Sequence, residues 1–140
     1  MNRIHEELEY NVAIIPVQQA AGGNTTSAYI DTTEYLAMDF VVEHGALAAG
    51  KKLTVEVLHA PEADGASAAA IISAKKEVIA PTGGLVSGTV VVSIRPRAEY
   101  GKCFAIKVTN DAAAAVPVSA LALGRVKHLP AGNAQVTEVW

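Results

Sequence analysis

The sequence predicts an all-β chain, an antiparallel β-sandwich of about seven or eight strands, on three observations. Apolar residues recur with a period of two in several short runs, which puts one face of each run in a core. Turn signals built from Gly, Pro, Asn and Asp separate the runs at intervals of roughly 8 to 12 residues. Helical segments alternating with strands, the pattern of a parallel sheet, are missing. The expected division is an extended N-terminal arm at residues 1–10, a sandwich domain at 11–129 and a C-terminal tail at 130–140.

The arm carries Glu6, Glu7 and Glu9 and is too short for an independent helix, so one helical turn is the most it is expected to hold. Val12 to Val17 is the first apolar run, and Pro16, lacking a ladder donor, confines it to a sheet edge or strand end. Gly22 to Thr26 reads as a loop and Ser27 to Asp31 as a short strand. In the next run Leu36, Met38, Phe40 and Val42 alternate with Ala37, Asp39, Val41 and Glu43. Leu53, Val55 and Val57 alternate with Thr54 and Glu56 in the run after it. The two read together as a hairpin whose long Gly- and Ala-rich connection, His44 to Lys51, protrudes.

Asp64-Gly65 marks a turn, and Ala68 to Ala80, helical by propensity but uncapped and set between strands, is read as strand. Thr89 to Arg95 is a clear strand closed by Pro96. Cys103 to Thr109 follows, with Phe104, Ile106 and Val108 on one face, and Val116 to Val126 is the last long strand. The core is expected to hold Phe40, Val42, Leu53, Val55, Val57, Val90, Val92, Phe104, Ile106 and Val108.

The residue types exclude several functions. A net charge of −3, with 11 Lys and Arg scattered along the chain, gives no basic footprint for direct nucleic-acid binding. No run reaches the roughly 18 to 20 apolar residues of a membrane span, and the N-terminus lacks the apolar core of a secretory signal. The single cysteine, Cys103, cannot form an intramolecular disulfide and, beside Phe104 in an apolar run, reads as a buried inert thiol. His5, His44, His59 and His128 show no metal-ligand spacing. Val86-Ser87-Gly88 does not frame a nucleophile elbow, and Gly22-Gly23 and Gly83-Gly84 precede no helix that would cradle a phosphate. The Asp64 loop lacks the ligand spacing of a calcium site, and aromatic residues, 5% of the chain, are too scattered for a sugar platform. No catalytic, metal or cofactor-binding residue is assigned, and the chain is expected not to be an enzyme.

The order of elements resembles that of small structural proteins encoded beside the major capsid gene of tailed bacteriophages. The likeness lies in AIIPV after a polar start, in YLAMDFVVEHGALAAGKKLTVEVLHAPEADG, and in the alanine-rich SALALGRVKHLPAGNA near the end. It covers most of the chain, is weakest over Ala68 to Leu85, and rests on small and β-branched residues. The resemblance implies a virion component of the decoration or cement type, made in the host cytoplasm. Such a protein sits on the capsid exterior, bound to the major capsid protein, as a homo-oligomer with neither nucleic acid nor membrane as partner. A head-to-tail connector or tail-tube subunit, or a carbohydrate-binding sandwich module, are the alternative readings.

Overall fold

The computed structural model describes residues 4–129 and 131–133, and its chain alternates between two antiparallel sheets. After one helical turn, α1 (Ile4–Glu7), come β1 (Leu8–Gln19), β2 (Asn24–Thr26), β3 (Ile30–Asp31), β4 (Tyr35–His44) and β5 (Lys52–Ala60). Then follow β6 (Ala69–Ala70), β7 (Lys76–Ile79), β8 (Gly88–Ile94), β9 (Cys103–Asn110) and β10 (Val116–Val126). Sheet one has the order β1-β10-β4-β8. In sheet two, β9 and β5 are central, β2 and β3 share one edge beside β9, and β6 and β7 share the other beside β5. With the split edges counted once each, the order is the jelly roll, in which the chain changes sheet at every connection except β5 to β6 and β7.

The core lies between the sheets. All ten residues expected there are buried, and Met38, Ile94, Val116, Val118, Ala120 and Ala122 join them. Facing residues of β5 and β9, such as Val55 with Val108 and Val57 with Ile106, share the inner face because antiparallel partners point the same way.

Several expectations are corrected. β4 and β5 do not form a hairpin, since β4 pairs with β10 and β8 in sheet one while β5 pairs with β9, β6 and β7 in sheet two. Alternation specifies which side of a strand is buried, not which strand lies beside it. The connection is accordingly a crossing between sheets, pinned by Leu47, which is buried and pairs its backbone with Leu85. Asn24–Thr26, expected as loop, is β2. The strand expected at Ser27 to Asp31 shrinks to Ile30–Asp31, because the Ser27 hydroxyl, not a backbone carbonyl, accepts the Ile106 N–H at 3.0 Å. Leu36 is exposed and Tyr35 buried, because the register shifts between Arg125 and Val126 and turns that end of β4 over. Ala68 to Ala80 holds two short strands separated by a 3₁₀ turn at Ile72–Ala74.

At the start of the chain the sheet takes over earlier than the sequence suggests. Leu8 to Tyr10 already pair with β10, opposite Arg125 to Leu123. Asn133 closes this corner by donating from Nδ2 to the His5 and Leu8 carbonyls, both at 2.7 Å, and accepting the Tyr10 N–H on Oδ1 at 3.0 Å. Pro130 and the tail beyond residue 133 lie outside the described residues.

Candidate functional site

The outer face of sheet one carries an apolar row that no single segment of sequence displays. The register places Val12 opposite Leu121, Leu121 opposite Val41, and Val41 opposite Val91. Residues paired across an antiparallel ladder project to the same side, so these four side chains form one line across all four strands. Val12 is 64% exposed, Val91 57% and Leu121 44%, while Val41 in the middle is half-buried between its neighbours. Tyr10 and Leu123 extend the patch in the next row, where it meets Asp39 and Ser93. On the other side Ser119, Glu43 and Thr89 border it.

Sheet two presents a different surface. Its outward rows are Asn24, Thr109, Thr54 and Glu77, and Thr26, Lys107 and Glu56. Lys107 and Glu56 approach to 3.8 Å, and Lys52 and Glu77 to 3.2 Å. Beyond these rows the Pro61 to Ala68 turn comes over the sheet, held by Tyr29 against Gly65, whose left-handed φ of 75° suits glycine.

The residues singled out for chemistry are set apart. His44 is buried at the end of β4, its Nδ1 2.8 Å from the Gly45 carbonyl, and its ring lies over Gly88, where a Cβ would come within 2.5 Å of Nε2. His59 is at the opposite end of the sandwich, with Nδ1 2.6 Å from the Tyr100 carbonyl and its ring tilted against that tyrosine. Cys103 is fully buried, and burial, followed by the nearby Asp31, pushes its thiol pKa upward, away from the thiolate a nucleophile needs. Among the described residues, no three His, Cys, Asp or Glu side chains gather as a metal site. His128 stays on the surface after β10, and His5 lies in α1.

One groove of about 780 Å³ opens between the edges of β7 and β8, which no other strand pairs among the described residues, and is lined by Ile71, Val78, Val90, Val92 and Tyr100, with Lys75, Lys76, Arg95 and Arg97 at its borders. Sequence reasoning missed both this groove and the apolar row. The available signals were the three consecutive valines of β8 and the outward Val41, each silent about its neighbours until the register is known.

No protein-family model matches the chain, and no curated protein matches it in sequence. Solved structures share its fold. The PBSX exported protein XepA superposes with a TM-score of 0.53 at 9% identity, over 100% of this chain and 42% of that one. VP2 of the infectious bursal disease virus subviral particle superposes with a TM-score of 0.55 at 13% identity, over 85% of this chain and 32% of that one. The chain thus spans less than half the length of either protein. At these identities the likeness establishes the sandwich architecture alone, shared with the VP2 subviral-particle protein and with an exported protein. No helix among the described residues is long and apolar enough to cross a membrane.

Proposed function

We propose that the protein is a non-enzymatic virion component that decorates and stabilises the outside of a tailed-phage capsid by binding major capsid protein subunits. The observation that carries this reading is the aliphatic row Val12, Leu121, Val41 and Val91, exposed across a whole sheet that already has a complete core beneath it. Contiguous apolar surface of this kind is characteristic of association. The resemblance in sequence order to proteins encoded beside capsid genes, together with a sandwich fold also found in the infectious bursal disease virus VP2 subviral particle, supports a virion structural role.

The mechanism is linkage. A protein that binds the assembled shell and not its free subunits stabilises the shell, and repetition over a lattice multiplies weak single contacts. Fully burying a valine or leucine contributes about 1.5 to 3 kcal/mol before the costs of association, and these four, already about half covered, would each contribute roughly half of that, a modest site that the lattice then amplifies.

Co-sedimentation with mature heads, unassembled capsid subunits and isolated tails tests the proposal. Binding to heads alone, lost in Leu121→Glu, is the expected result. Capture by tails would favour the connector or tail-tube reading, and failure to bind any virion part would overturn both. Glycan binding without virion binding would favour the carbohydrate module.

A further inference from the structure

The two edges of sheet one are built differently. β1 contains Pro16, shifts register twice, between Val12 and Ile14 and between Ile14 and Val17, and has Asn133 bound at its start. β8 pairs with β4 without a shift from Gly88 to Ile94, and its sequence GTVVVSI has no charge and no proline. Bulges, prolines and charges are the usual means of keeping a sheet edge from pairing with another chain. β8 has none of them along its length.

The register also identifies the free backbone groups. The Gly45 N–H donates to the Pro117 carbonyl at 2.8 Å, continuing the ladder between β4 and β10. In an antiparallel sheet successive residues direct their amide groups to opposite neighbours. The odd-numbered residues of β4 therefore face β10 and the even-numbered ones face β8. On β8, Gly88, Val90, Val92 and Ile94 are engaged with β4, whereas Thr89, Val91 and Ser93 turn their N–H and C=O groups to the edge that no other described strand pairs.

Around Val91 the strand is chemically palindromic: Thr89-Val90-Val91-Val92-Ser93. We infer that β8 pairs with β8 of a second copy of this chain about a two-fold axis at Val91, joining two four-stranded sheets into one of eight. Isologous contacts require such self-complementarity. Val91 meets its counterpart, Thr89 meets Ser93, and Val90 meets Val92, with the outward amides of Thr89, Val91 and Ser93 exchanging hydrogen bonds. The apolar row then runs unbroken from Val12 of one copy to Val12 of the other. Past the paired strands Arg95 falls opposite Ser87, and Pro96 opposite the exposed Val86, so like charges are not set against each other across the ladder. The cations at the groove suit an acidic strand from another protein less well than their number suggests, since Lys75 and Arg97 are already paired with Glu77 and Glu99 at 3.4 and 3.6 Å. The inference deepens the homo-oligomer that the family resemblance implies and is independent of the capsid binding proposed above; the measurements below need no virion component.

Sedimentation velocity of the full chain at tens of micromolar is expected to give the mass of two chains. Val91→Pro removes one outward N–H and leaves the ladder to β4 intact, a placement proline tolerates at an edge. It is expected to sediment as one chain with an unchanged circular dichroism spectrum. Register is read by oxidative cross-linking. Val91→Cys is expected to form a covalent dimer, because Cα atoms about 5.5 Å apart in a hydrogen-bonded pair fall in the disulfide range. Ser93→Cys alone is not, being about 14 Å from its counterpart at ~3.4 Å per residue. Thr89→Cys combined with Ser93→Cys restores the cross-link, and the buried Cys103 does not compete. A monomeric wild-type protein, a dimer that survives Val91→Pro, or cross-linking through Ser93 alone would each overturn the inference. So would a monomer that binds the synthetic peptide Glu-Val-Thr-Val-Glu at this edge, which would assign β8 to a different protein.

Discussion

The two outer faces of the sandwich answer to the same core and yet differ in character. Across the middle of sheet two the outward positions are Thr54, Thr109, Glu56, Lys107 and Glu77, polar side chains that satisfy one another or water, with the exposed apolar Ile79 at the edge. On sheet one the equivalent line is Val12, Leu121, Val41 and Val91. Both sheets are equally well closed on the inside, where Phe40, Val42, Val90 and Val92 meet Leu53, Val55, Phe104 and Ile106. Folding therefore does not require the aliphatic line, and the polar face shows that this architecture does without one. Isolated surface leucines need no explanation, but a line spanning four strands is the kind of surface that association uses.

The largest effect comes from breaking what the faces share. Val55 is fully buried at the centre of β5, opposite Val108. Val55→Asp places an unpaired carboxylate there and is expected to cost about 5 kcal/mol or more, enough to unfold a domain of ordinary stability. A wild-type-like melting curve in that variant would contradict the core assignment.

Next is the joint between the sheets. Asn110, fully buried at the end of β9, donates from Nδ2 to the carbonyls of Gln19 at 3.0 Å, Ala20 at 3.3 Å and Ala114 at 3.0 Å, and accepts the Ala112 N–H at 2.8 Å. It thereby ties β9 of sheet two to the end of β1 in sheet one. Asn110→Ala removes all four bonds and leaves the buried Ala112 N–H without its acceptor, although the Ala20 carbonyl keeps the Gly23 N–H at 3.0 Å, and a loss of about 2 to 4 kcal/mol is expected in denaturant titration. Asn110→Asp, which keeps only the acceptor, should recover little of it.

How much of this could be read beforehand depended on whether a feature was local. The bounds of β10, Val116–Val126, and the buried faces of β4, β5, β8 and β9 follow from alternation within one run, and the sequence displays them directly. The separation of β4 from β5 was not legible, because two amphipathic strands joined by a glycine-rich connection look alike whether they pair or face each other. Asn24–Thr26 has no apolar alternation to mark it, and becomes strand only by pairing with Thr109 to Lys107. Asn110, followed by Asp111 and a run of alanines, has only a turn signal in the sequence, its four partners being distant in sequence or hidden in the backbone. The apolar row was the least legible, since each member sits on a different strand and only the register lines them up.

An intermediate effect is expected where β4 starts. The Tyr35 ring is buried against Gly124, and its hydroxyl accepts from Asn11 Nδ2 at 3.2 Å. Burial, and then the neighbouring Glu9, raises its pKa above the ordinary phenol value of 10.0. The folded protein therefore holds this proton at a pH where the unfolded chain has lost it. The resulting contribution to stability is complete below about pH 10 and declines as pH rises through the folded value. Tyr35→Phe should cost about 1 kcal/mol near neutral pH for the lost hydrogen bond. Its melting temperature should fall less than that of the wild type between pH 9 and 11; an equal fall in both would show that Tyr35 does not titrate as described.

The smallest effect on stability is the one that sharpens the comparison of the faces. Leu121→Ser on sheet one and Lys107→Ala on sheet two both alter outward side chains, so each is expected to change unfolding free energy by less than about 1 kcal/mol. Lys107 loses only a partly exposed ion pair with Glu56 at 3.8 Å. Leu121 loses contacts with Val12 and Val41 that lie on the surface. Their effects on association should diverge, because the row is interrupted at its second strand in one variant and untouched in the other. Binding to heads, measured by co-sedimentation, should fall at least tenfold for Leu121→Ser and stay within twofold of wild type for Lys107→Ala. If the two variants lose binding equally, the polar face takes part as well and the asymmetry between the sheets has no bearing on what the protein binds. If Lys107→Ala alone loses it, the contact is electrostatic and belongs to sheet two, and raising the salt concentration should then weaken wild-type binding in the same way.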